Sequence, residues 1–387
     1  MHHILILGSG KIGTLVAGLL ADSGDYQVYL GDLQEPKKTP NTQTAITTFS
    51  CDINDHAQLT ALIKKHNIQS VVSCLPYFCN PKVAEAAAEN NLNYFDLTED
   101  VEVTKKVRSL AKNKNTTFIP QCGLAPGFIS IVANDLIKQF DSIEHVKMRV
   151  GALPLNVSNP LQYALTWSTD GVINEYGNPC EILANGEKTL IDALEGLEEI
   201  QLDGLTYEAF YTSGGVGSLI DTYKDKVKNM DYKTMRYPGH CEKLQFLMND
   251  LGLNHKRDVL KDILEDVIPE TKRDVVLVYV SVLGTINGKL IEENYAEKFY
   301  PKTLFGERFS AIQMTTASGI CAAIDMTVIE KTLKGPLARQ ENIDFNHFLE
   351  NRFGNYYHKN TQLASSGAFS LKKTKTFSNT AETIAEV

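Results

Sequence analysis

At 387 residues, 43% of them apolar, the chain is long enough for two domains with cores of their own. A net charge of −9 argues against nucleic acid or an anionic membrane surface as partner. No run approaches the roughly 20 apolar residues that span a bilayer or forms a signal peptide, and seven scattered cysteines without a C-x-x-C fit a cytoplasmic protein with no metal site or disulfide framework.

Ile4-Leu5-Ile6-Leu7 is an apolar run closed by Gly8 and reads as a buried parallel strand. Behind it Ile12, Leu15, Val16, Leu19 and Leu20 fall on one helical stripe. Gly8-Ser9-Gly10-Lys11-Ile12-Gly13 therefore occupies a strand-to-helix turn, the place where a dinucleotide pyrophosphate is bound. Gly8 makes the turn, Gly10 admits the phosphates and Gly13 lets the helix pack on the strand. A second strand over 26–30 ends at Gly31-Asp32, and Asp32 stands near the spacing of a carboxylate that bonds the adenosine ribose. Such a carboxylate repels a 2′-phosphate, so NAD is expected over NADP, with Lys37 and Lys38 near enough to rescue NADP.

The alternation continues. A strand through Phe49 ends at Cys51-Asp52, a helix carries Leu59, Leu62 and Ile63, and the strand over 70–75 is broken by Pro76. Pro81 opens a helix reaching Ala88, 94–97 is a strand, a charged helix is predicted over 99–112, and 117–119 is the next strand. Repeated βα units of this length predict a doubly wound parallel sheet, a Rossmann domain over 1–130. Ligands of such sheets lie beyond the carboxyl ends of the strands. Asp52 with Ile53, Cys74-Leu75-Pro76 with Tyr77, then Asp96, Thr98 and Gly123-Leu124 therefore join the glycine loop as candidate contacts.

Past Gly151 alternating β patterns dominate, with hairpin signals at Asn185-Gly186 and Asn287-Gly288 and a central strand over 275–283. Helices are predicted over 128–140, 258–267 and 309–333, the last stopping at Lys334-Gly335-Pro336. Its small residues Ala317-Ser318-Gly319 and Ala322-Ala323 suit close packing back on the first domain. An α/β substrate domain with a mixed sheet is expected over 131–308, a helical return over 309–360 and a polar tail over 361–387.

Four signatures carry the chemistry. Cys122-Gly123-Leu124-Ala125-Pro126-Gly127 reads equally as an interdomain hinge and as a cofactor contact. Ser213-Gly214-Gly215-Val216-Gly217 offers backbone N–H groups to a carboxylate, or is a flexible turn. Arg236-Tyr237-Pro238-Gly239-His240 opens an amphipathic helix; Arg236 supplies a bidentate carboxylate partner and His240 a group titrating near neutrality, with plain capping as the alternative. Trp167, Asp170 and Asn174-Glu175-Tyr176 group polar side chains about the only tryptophan, whose default is core packing. No Tyr is followed four positions later by Lys, which removes the tyrosine–lysine relay of short-chain dehydrogenases. A metal-free oxidoreductase of an amine or hydroxy acid is left.

Together, Gly8–Gly13, Ser73-Cys74-Leu75-Pro76, Tyr94-Phe95-Asp96-Leu97-Thr98, Gly123-Leu124-Ala125-Pro126-Gly127, Gly177-Asn178-Pro179, Glu208-Ala209-Phe210-Tyr211-Thr212 and Arg236–His240 resemble the saccharopine dehydrogenase family, with its smaller lysine 6-dehydrogenases, over about residues 1–330. The resemblance implies a Rossmann domain plus an α/β substrate domain, often paired as a homodimer. It also implies NAD(P)-linked oxidation of an amine carbon in lysine metabolism. One residue departs: Asp170 stands where the fungal saccharopine-cleaving members carry Arg.

On this footing hydride leaves the amine-bearing carbon of a small amino-acid substrate, and water hydrolyses the imine. Saccharopine is placed narrowly ahead of lysine. Arg236, Tyr77, Trp167, Asp170, Glu175 and the loop Ser213-Gly214-Gly215 are the expected substrate contacts, with Arg149 or Lys224 in support. Asp96 or His240 is the expected proton carrier. Lysine 6-dehydrogenase activity, polyamine-forming chemistry and a non-catalytic NAD-binding sensor stay open at this point.

Overall fold

A computed structural model describes residues 1–358; the expected polar tail lies outside the described residues. The first unit runs β1 (His2–Leu7), α1 (Gly13–Asp22), β2 (Tyr26–Asp32), β3 (Thr47–Ser50), α2 (His56–Lys65), β4 (Ser70–Ser73), α3 (Asn80–Glu89), β5 (Asn93–Asp96), α4 (Val101–Ala111) and β6 (Phe118–Ile119). Its strands pair in parallel in the order β3-β2-β1-β4-β5-β6, the doubly wound arrangement. Period-2 alternation gives the inner strands two buried faces, whereas the edge strand β3 has no buried residue. Ile4, Ile6, Val28 and Leu30 pack toward α1, while Leu5, Leu7 and Val71 pack against Leu59, Ile63, Val83 and Val107. The order reverses between β1 and β4, and the glycine loop stands at that switch point.

The second unit is built on α5 (Phe128–Ile137), β7 (Ser142–Pro154), α6 (Thr169–Gly177), β8 (Cys180–Ala184), β9 (Glu187–Ile191), β10 (Glu198–Leu202), β11 (Leu205–Tyr211), α7 (Leu219–Tyr223), β12 (Val227–Arg236), α8 (His240–Gln245), α9 (Arg257–Val267), β13 (Asp274–Ile286) and β14 (Lys289–Phe299). The main sheet runs β10-β11-β12-β7-β13-β14. Within it β12 and β7 are parallel and the neighbouring pairs antiparallel, so the sheet is mixed. Asn185-Gly186 and Asn287-Gly288 turn the two hairpins β8–β9 and β13–β14 with positive φ at all four residues, as that dipeptide favours.

After a small hairpin, β15 (Lys302–Leu304) with β16 (Glu307–Phe309), the chain returns through α10 (Ala311–Val328) and α11 (Phe345–Glu350). Sequence placed the long helix over 309–333; both ends are shorter. Phe309 belongs to β16, and Ser310 with Gln313 forms a capping box that starts the helix at Ala311, two residues later than expected. At the other end Thr332 N and Leu333 N both donate to Met326 O, so the chain folds back instead of continuing. Only Thr316, Thr327 and Val328 of its 18 residues escape burial. Its small face meets the first unit as expected: a Cβ on Gly319 would lie 2.9 Å from Gly123 O. One core thereby runs from the parallel sheet through α1, α10 and α5 to the mixed sheet.

The start of α10 is held from β13. The buried Asp274 carboxylate accepts from Ala311 N at 2.6 Å and Ile312 N at 3.1 Å, placing negative charge on the helix N-terminus. Asp274→Ala should cost about 2–4 kcal/mol in denaturant unfolding, because two charge-assisted bonds vanish and buried donors are orphaned.

Candidate active site

A cleft of about 600 Å³ opens between the two units, within the usual range for small-molecule sites. The parallel sheet contributes its carboxyl-end loops: Gly10, Lys11 and Ile12, then Cys74 to Tyr77, then Leu97 to Glu99, then Gly123 to Pro126. Ile312 and Thr316 come from α10; Trp167 to Asp170, Glu175, Tyr232, Thr234 and Arg236 face them from the second unit.

The glycine loop has the shape of a phosphate cradle. Gly8 has φ +102°, and a Cβ there would lie 2.7 Å from Cys74 O. At Gly13 a Cβ would lie 1.8 Å from Gly8 O, so turn and helix touch as the motif requires. Beside Gly10 nothing lies within 4 Å, so the space into which a pyrophosphate must come is open. Asp32 pins this loop: its carboxylate accepts from Ser9 N at 2.6 Å and Ser9 Oγ at 2.7 Å. These residues fit a dinucleotide. Lys11 reaches across to the second unit, donating to Leu165 O at 3.0 Å and pairing with Glu270 at 2.8 Å. Asp52 and Ile53 do not reach the cleft; Asp52 caps its own loop through Asn54 N.

The substrate side is set by strand alternation. Tyr232, Thr234 and Arg236 project from one face of β12, Val150 and Ala152 from the same face of β7, and these line the cleft. Arg149 and Lys233 project from the other face. Expected as a substrate anchor, Arg149 is instead buried with Glu198 and Asp231; Lys224 lies on the surface and outside the cleft. Arg236 Nε donates to Tyr176 Oη at 2.9 Å and Nη1 to Met235 O at 2.8 Å, with the guanidinium 5.1 Å over the Tyr163 ring.

Three further expectations need correction. His240 is buried outside the cleft, Nδ1 bonded to Leu161 O at 2.7 Å and Nε2 to Tyr176 Oη at 3.2 Å. Burial, then the Arg236 charge, push its pKa down to about 3, so it stays neutral and steadies the Tyr176–Arg236 contact. Asp96 is also enclosed, accepting from Tyr94 Oη, Thr98 N and Gln121 N, and ties strand ends together. Ser213, Gly214 and Gly215 lie behind the cleft wall: Ser213 N bonds Glu175 O, Gly214 packs on the Glu99 carbonyl and Gly215 on the Tyr232 ring. Asp170 does line the cleft, but Lys261 Nζ holds its carboxylate at 2.7 Å.

Glu99 escaped the sequence reading. The charge pattern puts the helix start at Glu99, whereas Asp100 is its N-cap, accepting from Val103 N at 2.8 Å. Glu99 therefore stays in the connection after β5 and enters the cleft wall. The signal was present in Asp100, a better N-cap than Glu.

The profile of the saccharopine dehydrogenase C-terminal domain matches residues 123–351, and that of the saccharopine dehydrogenase NADP binding domain residues 4–119. Mouse mitochondrial alpha-aminoadipic semialdehyde synthase is 27% identical over 192 residues, 48% of this chain and 20% of that protein. A saccharopine dehydrogenase (NADP(+), L-glutamate-forming) of Pyricularia oryzae is 26% identical over 278 residues, 69% of this chain and 60% of that one. The chain thus spans between a fifth and three fifths of these relatives. Among solved structures, apo saccharopine dehydrogenase (L-Glu forming) from Saccharomyces cerevisiae shares the fold at TM-score 0.72 and 16% identity, over 92% of this chain and 98% of that one.

The two glycines separate binding from folding. Gly10→Ala should keep the wild-type Tm yet weaken NAD(P)H binding, read by coenzyme fluorescence, at least about tenfold. Gly13→Ala should lower the Tm as well, since its methyl has no room beside Gly8.

Proposed function

The chain belongs to the saccharopine dehydrogenase family of NAD(P)-dependent oxidoreductases, and on that premise we propose that it oxidises the CH–NH bond of a lysine-derived amino acid, saccharopine ahead of lysine. The observation that carries this reading is Arg236, a buried cation on the cleft wall facing the loops of the parallel sheet. When bound, the nicotinamide supplies the hydride acceptor. Gly8, Gly10 and Gly13 would hold its pyrophosphate and Asp32 its ribose.

Arg236 binds a substrate carboxylate, its fork oriented by Tyr176, which His240 steadies in turn. Held there, the amine-bearing carbon faces the loops Cys74–Tyr77 and Gly123–Pro126, and positioning supplies much of the rate. Trp167 and Tyr77 wall the site. Loss of a hydride from carbon beside nitrogen leaves an imine, which water converts to a carbonyl and a free amine.

Lysine is the second reading, favoured by a specific observation. Saccharopine carries three carboxylates, yet among the described residues the cations along the cleft are Lys11, engaged by Glu270, and Arg236. With the glycine loop 213–217 behind the wall, a substrate with a single carboxylate matches the anchors more simply.

Reduced-coenzyme formation with saccharopine and with L-lysine tests both readings; turnover of neither overturns them. On the active substrate Arg236→Lys should raise KM about tenfold with the Tm retained, because a point charge replaces a fork. For the coenzyme, Asp32 supports a lower KM for NAD than for NADP. A lower KM for NADP, the coenzyme named in the family profile, would instead assign Lys37 and Lys38 to a 2′-phosphate.

A further inference from the structure

Two acids stand on the cleft wall, Glu175, expected among the substrate contacts, and Glu99. Glu99 comes from the loop after β5 and Glu175 from α6, so each unit contributes one, and both line the same cleft. Glu99 is 9% exposed and Glu175 6%. Glu99 Oε1 is buried without a hydrogen-bond partner. An orphaned carboxylate oxygen in a cleft wall is costly unless a ligand completes it. The surroundings hold Glu99 in place: Gly214, at φ +87°, packs on its carbonyl so tightly that a Cβ would lie 2.0 Å away.

We propose that Glu99 and Glu175 form the subsite for the nitrogen of the substrate, holding it as an ammonium and, through Glu99, taking its proton. This rests on the amine-oxidation reading above and names the residues that deal with the amine. The pair complements Arg236: a carboxylate of the substrate meets the guanidinium while its nitrogen meets the acids. In the proton step one N–H bond of the ammonium breaks and one O–H bond forms on Glu99. The electron pair stays on nitrogen, where it supports the C=N bond as the hydride leaves.

The electrostatics suit that task. Burial is the first cause pushing Glu99 up to about 7 and Glu175 well above the ordinary carboxylate range. Each acid raises its neighbour where it is felt: Asp100 and Asp96 act on Glu99, and Glu99 on Glu175, while Arg236 draws Glu175 down. Tyr77, from the loop after β4, also feels Glu99. At neutral pH the pair therefore holds fewer than two charges, matching one cation. Glu99 becomes a base as the pH rises through about 7.

The test uses the full chain and the conservative variants Glu99→Gln and Glu175→Gln. Reduced-coenzyme binding should be unchanged in both. Glu175→Gln should raise KM for the amine at least about tenfold. Glu99→Gln should lower kcat by about 10² or more and abolish the rise of kcat/KM through pH 7 expected of the wild type. Retention of kcat, KM and that pH limb in both variants overturns the pair. If the wild type turns over neither saccharopine nor lysine, calorimetric titration of the coenzyme-loaded protein with L-lysine and with butylamine separates the two ideas. Amine binding lost in both variants keeps the subsite while the oxidation reading falls; binding that survives them, or wild type that takes up neither amine, removes the subsite.

A second readout is independent of any ligand. Because native Glu99 keeps its proton between the ordinary carboxylate pKa and about 7, the contribution of Glu99 to stability falls as pH rises through that window. Glu99→Gln should thus show a Tm gain over wild type that grows from pH 5 to pH 7; no gain overturns the raised affinity for the proton.

Discussion

The closeness of α10 to the loop between β6 and α5 is the constraint on which the cleft depends. Gly319 brings the helix backbone against Cys122 O and Gly123 O, where any side chain would hold it off. From there Ile312 and Thr316 reach the cleft while Ala322 and Ala323 stay in the core. The far end is fixed as firmly, Asp325 being bonded by Tyr26 Oη, Asn351 and Arg352. With Asp274 at its start, the helix is tied to both units at once, so the separation of cofactor loop and substrate wall is a property of the core. Lys11 adds a bond across the cleft mouth, exposed and correspondingly weak.

Within that frame the site is electrostatic. A guanidinium and two carboxylates are taken out of water, each at a cost that neighbouring groups only partly offset. Tyr163, Tyr176 and Tyr232 enclose Arg236 with polarisable rings and one hydroxyl. His240, whose position in the motif drew attention as a proton carrier, is spent on orienting that hydroxyl.

Strand alternation explains why one cation of β7 and β12 is at the site and another is not. Arg236 shares the parity of Tyr232 and Thr234, whereas Arg149 shares that of its own strand's opposite face and is neutralised by Glu198 and Asp231. A shift of one residue in β12 would turn Arg236 away from the cleft, and one in β7 would turn Arg149 toward it.

The doubly wound parallel sheet and the phosphate cradle were legible in the chain, because βα periodicity and the glycine spacing are local properties fixed by backbone sterics. So were both Asn-Gly hairpins, and Trp167, Asp170, Glu175 and Arg236 as residues of the cleft. What lay beyond the sequence was depth. His240 and Asp96 are chemically apt proton carriers, and only the packing of Leu161, Tyr176, Tyr94 and Gln121 around them removes them from the cleft. The glycine loop 213–217 looked like a carboxylate cradle and became a support for Glu99 and Tyr232, because Gly214 and Gly215 are used for close approach to protein. Glu99 was hidden by a helix boundary misplaced by two residues. Sequence by itself determined the types of element and the chemistry available; which side chains are buried, paired or turned to the cleft was decided by contacts between residues far apart in the chain, which local patterns do not encode.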